Sequence, residues 1–535
     1  MESAFVDSVV RFGVGKSRLL FAFLALPALF EKIRRKRKMN VFEKVIDFLA
    51  NHQFGVWGWP TIILILATGI FMTVRLRALQ VGKFGHMLKV TIIPTVKSIG
   101  KKRKEDSVKS ISQFEAFAAA ISGTIGTGNI IGVTSAILTG GPGAVFWMWV
   151  SAFFGMITNY SENVLGLYYR KKDENGEFSG GAMYYITHGL GWKWLGYVAS
   201  VFCAVAAISM SSVQTNKITG TITSAVGNDD TWLKLVIGGI VAILIAMIII
   251  GGIKRVGRVA AILVPFMTIL FFVMAIIIIA INIAALPGAF ALIFKHAFNF
   301  GSAAGGIFGY ATADIIRKGM ARGVFSNEAG LGSSVIAHSA SETREPVKQG
   351  LWGVFEVFLD TFVVCTLAAL VMLTSYDTSA FTGSESDTAV AIGAFTNTFG
   401  VFGTTVFAVI LPVFAFTTIL AWSYYGEKSV EFLAQRLGKR GQKISVTVFK
   451  VLYVLLIVVA AVLTSELVWS ISDISNALMA IPNLIAVVGL SGVVIKITAN
   501  YFKRKSGADI EPMLSAYPEI NEEFKADIEK EDINS

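Results

Sequence analysis

The chain is poor in charge. Charged residues make up 16% of its 535 positions and hydrophobic ones 54%, whereas a soluble domain carries closer to a quarter charged residues. Cysteine is nearly absent. Cys203 and Cys365 are the only two, both inside apolar runs, which excludes a disulfide framework and a thiolate metal centre and leaves packed core thiols. The five histidines, His188 and His338 among them, show no zinc spacing and read as structural or surface residues. No G-x-x-x-x-G-K-[ST] loop occurs, which argues against nucleotide hydrolysis as an energy source. Paired carboxylates, ligating histidines or an activated nucleophile at useful spacing are also missing, so an embedded enzyme is disfavoured. The net charge of +11 does not point to nucleic acid, because the basic residues fall in short loops between apolar runs.

Long apolar runs are what the chain has in abundance. Residues 235–250 read LVIGGIVAILIAMIII, and 259–281 is similar. A bilayer core is about 30 Å thick and needs about 20 apolar residues to cross as a helix. Such runs predict about eleven spans: 57–74; then 114–140, 144–169, 194–226, 232–253 and 259–283; then 303–341, 350–374, 398–425, 446–464 and 467–499. They are continuous rather than alternating, which excludes a β-barrel. The fold class is therefore an all-α polytopic membrane protein. Charge alternates with the crossings. Arg75, Arg77, Lys83 and Lys101–Lys104 fall on one side with Arg170–Lys172, Lys254–Arg258, Arg344, Lys348, Arg436–Lys443 and Lys503–Lys505; Asp229, Asp230, Asp377, Glu385 and Asp387 fall on the other. The basic side is the cytoplasmic one, so the expected location is the cell (inner) membrane with a cytoplasmic C-terminus. Residues 32–38 (KIRRKRK) break the alternation, and the expectation is a start at Met39 with 1–38 as an extension. Residues 39–113 then hold an interfacial helix over 41–54, one transmembrane helix and a basic loop. Residues 500–535 read as a disordered acidic tail.

Two spans are interrupted. Residues 121–132 read ISGTIGTGNIIG and 323–334 read GVFSNEAGLGSS. Each glycine costs a helix interior about 1 kcal/mol relative to alanine. Glycines at 123, 126 and 128, with Thr124, Thr127 and Asn129 between them, imply unwound backbone; so do Gly323, Gly330 and Gly332 around Ser326, Asn327 and Glu328. Each segment lies in the first span of a five-span set. In hydrocarbon an unpaired backbone group costs several kcal/mol, so unwound chain survives only against protein or a wet cavity. There its carbonyls suit a cation and its N–H groups a carboxylate. Glycine-interrupted segments in corresponding positions mark a transporter's binding site; the alternative is that these glycines serve helix packing alone.

The motifs GGPGAVFWMWVSAFFG at 140–155, SGTIGTGNI at 122–130, RGVFSNEAGLGSS at 322–334 and AWSYYGE at 421–427 resemble the alanine or glycine:cation symporter family, over about residues 40–500. That resemblance implies a LeuT-like fold of two five-helix inverted repeats, 114–283 and 303–499, with 57–74 as one extra helix. It implies import of a small neutral amino acid, alanine or glycine, with sodium by alternating access in a lipid membrane. It implies no enzyme activity and no cofactor beyond Na⁺ as coupling ion. The carbonyls of Ser122 and Ile125 with the hydroxyls of Thr417 and Thr418 are then the expected sodium ligands. Around Gly126, the N–H groups of Thr127 and Gly128 hold the substrate carboxylate. The carbonyls of Thr124 and Phe325 and the Ser326 hydroxyl receive its ammonium. Phe325 covers the substrate, Trp422 caps its side chain and Gln214 lines the pocket. Lys217 departs from the expected pattern; it either snorkels outward or occupies a cation position and shifts coupling towards protons. Proton coupling, or a non-transporting sensor with the same site, remain the alternatives. Glu115, Glu162, Asp314, Glu356 and Asp360 lie in or beside spans and are functional candidates without assigned roles, several of them near helix ends where salt bridges or solvent account for them equally well.

Overall fold

The computed structural model describes residues 55–98, 111–172, 176–298, 307–376 and 386–533. The expected start at Met39, the helix over 41–54, the basic cluster 101–104, the beginning of the second set at 303–306, and Asp377 and Glu385 lie outside the described residues.

Each expected span falls on a helix or a helix pair. Trp59–Arg75 forms α1, with a proline in its first turn where no intrahelical N–H bond is lost. The first set is Gln113–Thr124 (α2) with Ile131–Gly140 (α3), Ala144–Tyr168 (α4), Lys193–Val226 (α5), Thr231–Ile249 (α6) and Gly252–Ile281 (α7). The second is Ile307–Asn327 (α8) with Val335–Ser339 (α9), Pro346–Val357 (α10) continuing through a π-helical stretch, Phe358–Cys365, into Thr366–Ser375 (α11). Asp387–Phe399 (α12) precedes Val401–Leu433 (α13), Gly438–Ala460 (α14), Ser465–Gly489 (α15) and Ser491–Lys505 (α16). Among the described residues six helices are long and apolar enough to cross a membrane, or seven if α2 and α3 are one bent span. The others are shorter or more polar. α1 has 17 residues, and α4 carries Asn159, Tyr160, Ser161, Glu162 and Asn163, all buried. Their polarity is turned into the bundle, while α6 and α7 present Ile240, Ile243, Ile262, Phe266 and Ile269 outward, the pattern of a lipid-facing wall.

The third helices of the two sets, α5 and α13, pack along each other, and α15 packs on α5; α4 lies against α8 and α10. Glu115 caps α2: Ser112 Oγ accepts from its N–H at 3.1 Å and its carboxylate accepts from the Ser112 N–H at 2.8 Å, a reciprocal box that fixes where the helix starts. Just before that cap Ile111 pairs with Ser341, and a short hairpin aligns Lys171 with Ser179 and Lys172 with Phe178. Beside the hairpin the buried Arg170 guanidinium donates to the carbonyls of Ser339, Ser341 and Thr343 at 3.1, 2.6 and 2.5 Å and lies 3.8 Å over the Phe178 ring.

The tail is not the disordered segment its composition suggests. Pro518–Ile533 is a helix (α17). Leu514 and Phe524 are buried against Phe178, and the Ala516 N–H donates to Tyr168 O at 2.9 Å. Few apolar residues are needed, because they land on a ready-made apolar surface instead of having to build a core of their own.

Candidate substrate and cation site

Both interruptions are breaks in the chain path. α2 and α3 are bent by 56°, with a single turn of 3₁₀ helix at Thr127–Asn129 between them. The Gly126 N–H leaves the helical ladder and donates to Asn129 Oδ1 at 2.8 Å. In an unbroken helix that N–H would pair with the carbonyl of Ser122. Ser122 O is therefore released from the helix, and the Thr418 hydroxyl lies 2.9 Å from it across the gap from α13, its proton shared with Phe414 O of its own helix at 3.1 Å. Gly126 must stay bare: a Cβ there would stand 2.5 Å from Thr418 Oγ1 and 3.2 Å from Gln214 Oε1. Gln214, buried on α5, accepts from the Thr127 N–H at 3.1 Å. So Ser122, Gly126, Thr127, Gln214 and Thr418 meet in one place. Ile125 closes the end of α2 with extended ψ of 94°, which turns its carbonyl out of the helix. Thr417 does not join them; its hydroxyl donates to Phe414 O at 2.9 Å and lies 3.7 Å from Met267 Sδ. Thr124 Oγ1 is likewise bonded within its own helix, to Ile121 O at 3.2 Å.

The second break follows α8, where Glu328, Gly330 and Gly332 all adopt positive φ and the Asn327 side chain accepts from Ala329 N–H at 3.0 Å. Phe325 lies on the first break: a Cβ on Gly128 would meet its ring at 3.2 Å. The ring packs against Trp469 with centroids 4.7 Å apart. Ser326 faces the bundle. Its hydroxyl reaches Asp360 at 3.0 and 3.2 Å. Trp422 sits one turn beyond Thr418, fully buried, against Tyr425 and beside Glu328; the structure thus sets its indole nearer the second break than the Ser122–Thr418 pair.

Sequence reasoning left Asp360 without a role, yet it joins the two breaks. It stands in the π-helical stretch, a form often found at functional positions. Its carboxylate accepts from Asn129 at 2.5 Å, from Ser326 and from Thr361 at 2.8 Å. Three donors on a buried carboxylate satisfy it without a basic partner. Cys365 is also more than a packed thiol: its sulfur lies 3.3 Å from Ser326 Oγ and 3.4 Å from Asn129 Nδ2. A signal was available for Asp360, an acid in the middle of an apolar run; nothing in one sequence signals Cys365.

The face opposite the tail is closed by two ion pairs. Arg322 on α8 holds Asp473 on α15 at 3.0 and 2.8 Å and lies 4.3 Å over the Trp469 ring. Lys217 neither snorkels free nor occupies the cation cluster. Its ammonium is committed to Asp387 at 2.8 and 3.0 Å and to Ser465 at 2.8 Å. His338, on α9, is structural, held between Glu356 at 2.9 Å and Gln349 at 2.6 Å.

Comparison with known proteins places this geometry. The chain is 42% identical over 459 residues to a protein named sodium/alanine symporter AgcS of Methanococcus maripaludis, covering 83% of this chain and 94% of that one. It is 36% identical over 461 residues to a probable sodium/glutamine symporter, GlnT, of Bacillus subtilis, covering 85% and 90%. Among solved structures it matches that of MhsT in complex with L-phenylalanine, with a TM-score of 0.52 at 16% identity, over 74% of this chain and 91% of the other. That likeness shows the LeuT fold expected for the two five-helix sets. The profile of the sodium:alanine symporter family matches residues 39–515, and the chain belongs to that family.

Proposed function

We propose that the protein imports a small neutral amino acid, alanine or glycine, together with sodium, by alternating access and without enzymatic activity. The observation that carries this reading is the freed Ser122 carbonyl facing the Thr418 hydroxyl, directly beside the Thr127 N–H. Neutral oxygens from a carbonyl and a hydroxyl suit a monovalent hard cation. With sodium present, the Thr418 hydroxyl turns its proton away and offers a lone pair, and the Ile125 carbonyl completes that side. Thr417 joins only by leaving Phe414 O, a rotation about one side-chain bond.

The substrate carboxylate takes the Thr127 N–H. Gln214 Oε1 holds that donor in this structure, so binding exchanges one acceptor for another, and the freed glutamine amide can turn its own N–H groups to the carboxylate. The Thr124 and Phe325 carbonyls and Ser326 receive the ammonium, with the Asp360 carboxylate behind Ser326 adding a negative field. Phe325 forms the cover over Gly128. Trp422, fully buried, caps the side-chain end of the site in this reading, and a bulky indole there leaves only a small space. A methyl group or a hydrogen fits such a space better than a long polar side chain.

Opening to the outside then requires breaking Arg322–Asp473 and Lys217–Asp387; opening on the other face requires moving α2 and releasing the pairing of Ile111, just before it, with Ser341. The tail face is cytoplasmic in this reading, and the membrane is the cell membrane. The deciding experiment is uptake of labelled alanine and glycine into proteoliposomes under an imposed sodium gradient. Concentrative uptake that collapses when potassium replaces sodium supports the proposal. Binding without any uptake would make the protein a sensor instead.

A further inference from the structure

Three residues in the bend after α8 stand in the left-handed region: Glu328 at φ 55°, Gly330 at 92° and Gly332 at 73°. Glycine takes that conformation freely and glutamate does not. A carboxylate kept at a strained position inside a functional segment directs attention to what it does there. Glu328 is fully buried. Its Oε2 accepts from the Ser333 hydroxyl at 2.6 Å; Oε1 makes no close hydrogen bond among the described residues, and the Trp422 indole N–H beside the carboxylate is its one further donor. Oε1 reaches the first broken helix. A Cβ on Gly123 would lie 3.2 Å from it, 2.8 Å from the Tyr425 hydroxyl and 3.3 Å from Ala421 Cβ. The carboxylate thus links the second break to α2, one to two turns along α13 from Thr418 towards the tail face.

No counter-charge meets it. The titratable groups that face it are Glu356 and Asp360 from the π-bulged helix, Cys203 from α5 and Tyr425 from α13; α2 contributes only Gly123. The nearest bases on either side in sequence are both spent elsewhere, Arg322 on Asp473 and His338 on Glu356. A buried charge here would have one hydroxyl and one indole N–H as donors, no basic partner and two further acids in view, whereas a neutral acid needs no partner charge. A metal cation at Oε1 would face the indole N–H, a donor, and would have too few oxygens around it.

We propose that Glu328 is a proton-binding site of the transport cycle, so that a proton travels with the amino acid and sodium. This deepens, and rests on, the symport reading above. With both faces closed, the proton is bonded to Oε1. When α2 swings away from Tyr425 and water enters from the tail face, the O–H bond breaks and the proton leaves to that water. The negative charge left behind lies on the tail side of the Ser122–Thr418 pair and draws the sodium ion the same way. Reopening to the opposite face lets Oε1 take a proton from the outer solution before the next closure.

The test uses the full-length protein in proteoliposomes loaded with a pH-sensitive dye, with equal sodium on both sides and alanine added outside. Labelled alanine and luminal pH are followed together. Wild-type protein is expected to acidify the lumen as alanine enters, and its uptake rate to depend on pH. In Glu328→Gln the acidification is lost, and alanine/alanine exchange, measured in parallel, loses its pH dependence. Glu328→Asp guards against a folding failure of the glutamine variant: it keeps the acid, shifts the pH profile and still acidifies. Alanine entry without acidification in wild type overturns the proposal, as does acidification that survives in Glu328→Gln, or a Glu328→Asp profile identical to wild type. Absence of any amino-acid entry in wild type, with or without sodium, refutes the symport reading itself, and the proton site falls with it.

Discussion

Gly126→Ala isolates the contact on which the sodium site depends. The backbone at 126 is extended, with φ −139° and ψ −152°, so alanine suffers no conformational strain there. Its Cβ would stand 2.5 Å from Thr418 Oγ1 and an ordinary 3.4 Å from Thr418 Cβ. The hydroxyl must therefore move, and moving it takes it from Ser122 O. Overpacking of this size costs about 1–3 kcal/mol, which at about 1.4 kcal/mol per decade weakens sodium binding by about 5- to 150-fold. Thr418→Ala removes the same hydroxyl directly, at a similar cost of about 1–3 kcal/mol.

The double variant separates mechanism from coincidence. With Thr418 already alanine there is no hydroxyl to evict, and the closest neighbour left is the movable end of Gln214, Oε1 at 3.2 Å, so adding Gly126→Ala should cost little further. The coupling energy then cancels nearly the whole Gly126→Ala penalty, whereas independent sites would add to within about 0.5 kcal/mol. The assay is the sodium concentration for half-maximal alanine uptake in proteoliposomes, with thermal unfolding in parallel to exclude misfolding. Penalties that simply add, or a Gly126→Ala protein with wild-type sodium dependence, would refute the argument that Thr418 and the freed Ser122 carbonyl act as one unit.

Other consequences follow from the same geometry. Gln214→Glu places a carboxylate where the substrate's own is to sit, and should raise the alanine KM by about tenfold or more, with Gln214→Ala raising it less; equal effects would show that Gln214 does not face the carboxylate. Cys365 lies beside Ser326 and Asn129, so in a Cys203→Ala background alanine plus sodium should slow its modification by a small maleimide, as read by mass spectrometry, and an unchanged rate would remove it from the site. Lys217→Met strands Asp387 without its partner, at a cost of about 1–3 kcal/mol given that the aspartate is partly exposed. The lower unfolding temperature should be partly restored in Lys217→Met/Asp387→Leu, and additive losses would mean the pair is not coupled.

How far the sequence reached depended on whether the signal was local. The broken helices were legible because glycine and threonine at 123–128, and glycine at 330 and 332, act through backbone preferences that need no knowledge of neighbours. The same holds for the Ser112–Glu115 box and for the five-span sets, whose hydrophobic runs are each defined by their own length. Rotation about a helix axis is different. Thr417 and Thr418 are adjacent, about 100° apart around α13, and only the packing of α13 on α2 decides that Thr418 meets Ser122 while Thr417 turns to Met267. Pairings across the chain were invisible for the same reason. Lys217 and Asp387 are 170 residues apart, and a lysine in an apolar run with no visible partner looks like a functional charge. Asp360 was noticed but unassignable, because the π-helical stretch shifts the register of everything after it. The sequence marks where chain is unwound. Which side chains converge on the unwound chain is fixed by how the two five-helix sets lock together, and that is where Asn129 and Asp360 find each other and Glu328 meets Gly123.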